Sequence, residues 1–182
     1  MINPFVVGET VYLRPMEPAD GRLLAACNND PTVRVSFFTH TPTSVAMQED
    51  FLRTVYAKGS DYLPFAICRV TDDQAVGVTA LHRVDLVSRA AVFSVCLCDG
   101  HSRGKGFAKE ATHLMMRYAF DVLNLHRVQL HVWTENQGAI HIYESAGFQR
   151  EGLLREAMAH DGKYCDFLVM GLLEDEWRSR KR

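Results

Sequence analysis

The apolar positions of this 182-residue chain switch between two periods along its length. Residues 11–14 read as a short opening strand halted by Pro15. Pro18 and Asp20 suit the first turn of a helix whose Leu23, Leu24 and Cys27 face inward, and Asn28-Asn-Asp-Pro31 breaks it. A second helix is predicted to start after Thr43 or Ser44, with Met47, Phe51, Leu52 and Val55 on one face and Gly59 as its stop. Segments 65–70 and 75–84 are β-branched and apolar, joined by a turn at 71–74, and 89–98 alternates as a third strand. The helical period then returns in Ala111, Leu114, Met115, Tyr118 and Val122. Segment 126–133 alternates again, with Val128, Leu130 and Val132 on one face. Segment 139–146 is a short helix that Gly147 ends, with Tyr143 on its inward stripe beside Ala139 and Ala146. Asp161-Gly162, between 153–160 and 163–172, is a strong hairpin signal.

This order predicts one mixed α/β domain over residues 1–182, with a mostly antiparallel sheet flanked by helices. The helix between 89–98 and 126–133 makes a β-α-β crossover, so those two strands are expected to run parallel.

Composition narrows the classes. Hydrophobic residues make up 47% and charged residues 23%, as in an ordinary globular domain. A formal net charge of −2 gives no support to general nucleic-acid binding. No apolar run approaches bilayer length, and the first ten residues lack a cationic segment leading into a long apolar run, so neither membrane nor signal peptide is expected. The five cysteines are odd in number. Cys96 and Cys98, two apart, share one face of a strand rather than forming a metal-binding turn. All five are expected as free thiols in a reducing cytosol, with no metal bound.

Residues 102–111, S-R-G-K-G-F-A-K-E-A, sit where the strand 89–98 hands over to a helix. Gly104 and Gly106 permit close backbone approach, the first helical N–H groups point into the turn, and Arg103 and Lys105 add positive charge. A P-loop would need Ser or Thr after Lys105, and a dinucleotide fingerprint would need a small residue where Lys109 stands. What fits is R-x-x-G-x-A, here Arg103, Gly106 and Ala108, which resembles the acetyl-CoA-binding motif of the GNAT N-acetyltransferases. Residues 136–148, N-Q-G-A-I-H-I-Y-E-S-A-G-F, resemble that family's second signature at the family's spacing. Segments 11–15, 123–128 and 151–164 are similar to the branch holding ribosomal-protein N-terminal and spermidine acetyltransferases.

The resemblance implies a GNAT fold in which strands 89–98 and 126–133 splay apart and admit the pantetheine of acetyl-CoA. It implies pantetheine contacts from the backbone of Cys96, Leu97 and Cys98, and a pyrophosphate cradle from Arg103, Gly104, Lys105, Gly106, Phe107, Ala108 and Lys109. Asn136 and Ala139 are implied as further cofactor contacts, with Asn136 also a good helix N-cap, and Tyr143 as the acid that protonates the departing thiolate. The glutamate that many members carry before the glycine turn is absent, for that stretch reads Val92, Phe93, Ser94. Ser94 or His82 could hold a relay water, and no general base is assigned. The acceptor pocket is expected from 33–43 and 153–165. Segment 36–43 has no carboxylate, which weighs against a polyamine and leaves a peptide N-terminus, an amino acid or another small amine. A non-catalytic acyl-CoA sensor is the rival class. Homodimers are common in the branch.

Overall fold

A computed structural model of the chain describes residues 1–34, 40–56, 60–98 and 100–180. The strands are β1 (Val6–Val7), β2 (Val11–Pro15), β3 (Leu63–Arg69), β4 (Ala75–Asp85), β5 (Ala90–Leu97), β6 (Arg127–Trp133), β7 (Gln149–His160) and β8 (Lys163–Leu173). The helices are α1 (Gly21–Asn29), α2 (Pro31–Arg34), α3 (Val45–Thr54), α4 (Phe107–Arg117), α5 (Gln137–Ala146) and α6 (Glu174–Ser179).

The eight strands form one sheet in the order β1-β2-β3-β4-β5-β6-β8-β7. Every neighbouring pair is antiparallel except β5 with β6, which are parallel as the crossover required. Strand alternation sends successive side chains to opposite layers. In β3, Phe65 and Ile67 join the large core beneath α4 and α5, whereas Ala66 and Cys68 join a smaller cluster with Leu24 of α1 and Leu52 of α3. Val128, Leu130 and Val132 are buried together, as their spacing predicted. The closing hairpin turns at Asp161 and Gly162, both at positive φ, but β7 starts at Gln149 and so runs longer than expected.

Two predicted faces are corrected. Ser44 caps α3 by accepting from the Met47 amide at 3.2 Å, and Leu52 and Val55 are buried, but Met47 and Phe51 are 60% and 42% exposed. α3 presses Glu49 against Gly21 at the start of α1, which turns the Met47–Phe51 row outward. Val122 is 65% exposed, although Ala111, Leu114, Met115 and Tyr118 are buried. A single π-helical turn over Tyr118–Val122 widens the helix there and buries Phe120 instead. The expected stop at Gly59 lies outside the described residues. Among the described residues, no helix is long and apolar enough to cross a membrane.

Candidate active site

The parallel pairing of β5 and β6 is brief. Ala90, Ala91 and Val92 match Arg127, Val128 and Gln129, and no pairing between the two strands continues beyond them. Past that point β6 stays bonded to β8 and β5 to β4, so the two strands diverge. A cleft of about 520 Å³ occupies the opening.

Backbone direction decides which groups can serve a ligand there. The Cys98 amide donates to Val76 O on β4 at 2.9 Å, while Arg89 O accepts from the amides of His126 and Arg127 on the β6 side. Alternation then turns the Cys96 backbone toward β4 as well and aims the backbones of Val95 and Leu97 into the gap. The expectation of backbone contacts from Cys96 and Cys98 is therefore corrected. Leu97 and Val95 both line the cleft.

The glycine turn closes one end. Gly104 and Gly106 adopt φ of 75° and 83°, and a Cβ built on either would meet open space. Gly106 is the residue preceding α4, and among the described residues no side chain caps that helix. The Glu110 carboxylate, which could have reached back to the turn, instead takes the amide and hydroxyl of Thr10 and the amide of Glu9. The first amides of α4 are thus left for an anion, and the dipole of this 11-residue helix favours one there. Arg103 reaches across to α2, donating to Thr32 Oγ1 at 3.2 Å. This uncapped cradle fits a pyrophosphate.

Of the residues singled out in the turn, Arg103, Gly104 and Ala108 line the cleft, as does Cys96. Lys105, Gly106, Phe107 and Lys109 do not, and both lysine side chains are exposed. Across the cleft lie Asn136, Ala139 and Tyr143. Asn136 Oδ1 caps α5 by accepting from the Ala139 amide at 3.1 Å. Tyr143 is 7% exposed, with its ring edge-on to Phe93 at 6.2 Å. Burial, and then the neighbouring Cys96, push its hydroxyl pKa well above the usual tyrosine value, so it stays protonated.

Sequence reasoning missed His131, Trp133 and Glu135, which also line the cleft. His131 and Trp133 alternate with the buried valines and leucine of β6, so the face opposite the core row was the available signal. Thr32 and Val33 of α2 form the remaining wall. Residues 35–39, within the expected acceptor segment, lie outside the described residues.

The cysteines depart from expectation. Cys27 of α1 is disulfide-bonded to Cys98, and Cys96 Sγ stands 3.4 Å from Cys27 Sγ. Cys96 and Cys98 do share one face, and α1 supplies the third sulfur, which the linear spacing concealed. Only Cys68, Cys96 and Cys165 are free thiols. Burial pushes Cys96 up to about 12.

Comparison with known proteins bears on this geometry. The family model for an acetyltransferase (GNAT) domain matches residues 10–149. The chain belongs to the GNAT acetyltransferase family. A spermidine N(1)-acetyltransferase of Vibrio cholerae is 32% identical over 170 residues, covering 92% of this chain and 95% of the relative. The crystal structure of the spermidine N-acetyltransferase from that organism with CoA and spermine superposes at a TM-score of 0.85, with 27% identity, over 94% of this chain and 99% of the other. A dodecameric structure from the same organism gives 0.82 at 28% identity, over 96% and 100%. The ribosomal N-acetyltransferase-like protein YdaF of Bacillus subtilis is 27% identical over 179 residues, covering 96% and 97%. As a GNAT enzyme, the protein transfers acetyl from acetyl-CoA to an amine.

Proposed function

We propose that the acceptor is an aliphatic polyamine of the spermidine type, acetylated at a primary amine. The observation that carries this reading is the cleft between β5 and β6, which joins an uncapped helix N-terminus to a protonated tyrosine and has Glu135 in its lining. Glu135 is the acidic residue named in that lining, whereas segment 36–43 has none. The near full-length likeness, in sequence and in structure, to the Vibrio cholerae spermidine acetyltransferase supports the same choice.

Acetyl-CoA brings the acetyl group as an activated thioester. In this reading the amides of 106–109 hold its pyrophosphate with Arg103 alongside, and the backbones of Val95 and Leu97 pair with pantetheine. Tyr143 donates a proton to the departing sulfur. A thiol of reference pKa near 8.5 leaves more readily once protonated, and a tyrosine kept neutral by burial still carries its proton across the working pH range. None of these roles calls for a metal ion. We place the activity in the cytoplasm, where acetyl-CoA is available. We also infer self-assembly, at least the expected dimer, supported by the dodecamer of the Vibrio relative.

The test is CoA release measured across spermidine, spermine, free amino acids and peptides with free N-termini. Turnover highest on the polyamines is the expected result. Turnover confined to peptides would transfer the assignment to a peptide N-terminus. Binding of acetyl-CoA without release on any amine would favour the sensor.

A further inference from the structure

An alkylamine of reference pKa about 10.4 arrives as an ammonium ion in all but about one molecule in a few thousand at pH 7, so it must shed a proton before it can attack. The usual strand glutamate is missing, and Tyr143 is committed to the sulfur. The sheet register answers the question. β4 and β5 pair Ala80 with Ser94 and His82 with Val92, which sets His82 and Ser94 diagonally on one face of the sheet. His82 Nε2 and Ser94 Oγ are 2.7 Å apart. Ser94 lines the same cleft as Tyr143. The His82 ring packs against the Tyr62 ring, with centroids at 4.7 Å.

Resting on the acetyltransferase reading above, we propose that Ser94 and His82 are the proton-accepting pair of the reaction, with Ser94 Oγ meeting the amine and His82 acting through it. The ammonium gives one proton to Ser94 Oγ as the serine proton passes to His82 Nε2, and His82 releases it to solvent. The C–N bond then forms as the C–S bond breaks, and the electron pair of that bond leaves on sulfur. Tyr143 protonates the sulfur and is refilled by the second proton that the nitrogen loses. Of the two protons leaving nitrogen, one ends on CoA and one in water, which balances the reaction.

The environment of His82 suits an acceptor. The groups facing it are Asp61 and Tyr62 ahead of β3, Arg83 beside it on β4 and Ser94 across on β5. Burial lowers its pKa below the usual histidine value, Arg83 lowers it further, and Asp61 opposes both. It is therefore neutral at pH 7 and ready to take a proton.

The experiment measures kcat/KM against pH, from 5 to 9, on the best amine, for the wild type, His82→Gln, Ser94→Ala and Ser94→Thr. The wild type should lose activity as pH falls through the His82 pKa. His82→Gln should lower kcat on the order of 10²-fold and erase that acid limb, with KM for acetyl-CoA unchanged. Ser94→Ala should lower kcat similarly, and Ser94→Thr, which keeps a hydroxyl, should recover most of it. Thermal stabilisation by acetyl-CoA checks that each variant retains a folded donor site. A wild-type acid limb that persists in His82→Gln at undiminished kcat overturns the pair and leaves the acetyltransferase reading standing. Failure of the wild type on every amine removes that reading, and the pair falls with it.

Discussion

Reduction of the Cys27–Cys98 disulfide tests how the fold fastens α1 to the mouth of the cleft. The bond closes a loop with a sequence separation of 71 residues. In the chain-entropy model a loop of that length removes about 15 cal/mol/K from the unfolded ensemble, or about 4 kcal/mol at 25 °C. For a chain of this size each kcal/mol moves Tm by roughly 2–4 °C, so full reduction should lower Tm by roughly 8–16 °C. The third sulfur sharpens the test. Cys27→Ser should lose the whole effect and Cys96→Ser none of it. Cys98→Ser leaves Cys27 beside Cys96 at 3.4 Å, so an oxidant should restore most of the stability through a loop of 69 residues. Circular dichroism melts with and without dithiothreitol give the numbers. Thiol titration of the denatured, non-reduced protein should count Cys68, Cys96 and Cys165 and no others. Five titratable thiols before reduction, or a Tm indifferent to reductant, would refute the reasoning.

Three further outcomes are expected. Tyr143→Phe should lower kcat on the order of 10²-fold while leaving KM for acetyl-CoA nearly unchanged, because the lost hydroxyl acts on the leaving sulfur; steady-state kinetics on the best amine decides. Gly106→Ala should weaken stabilisation by acetyl-CoA in a thermal-shift assay, since φ of 83° strains alanine and its methyl would enter the space open to the anion. Arg14→Met should destabilise the fold by about 3–5 kcal/mol in urea denaturation, because the guanidinium holds both oxygens of the nearly buried Asp20, at 2.7 and 2.8 Å, and its loss strands a carboxylate. Asp20→Asn in the same background should recover part of that loss.

The sequence by itself determined what depends on local chemistry. The alternation of 126–133, the Asp161-Gly162 turn, the cap at Asn136 and the glycine turn at 104–106 each follow from a few adjacent residues, and their conformations are nearly forced. A helix lying between two strands was enough to make those strands parallel. The candidate donor site was legible for the same reason, since a phosphate cradle is built from consecutive amides at one helix start. Tertiary structure decided whatever depends on register and on partners distant in sequence. Backbone direction along β5, which exchanged Cys96 and Cys98 for Val95 at the gap, is set by pairing with β4. A slip of one residue would reverse it. The π-helical turn that exposes Val122 and the α1–α3 contact that exposes Met47 arise from packing against neighbours that no linear period encodes. Cys27 meets Cys98 across 71 residues, and His82 meets Ser94 across a hairpin register. Both pairings were invisible in a linear reading because hydrogen bonds and sulfur contacts require distances of a few ångströms, and only the folded sheet fixes them.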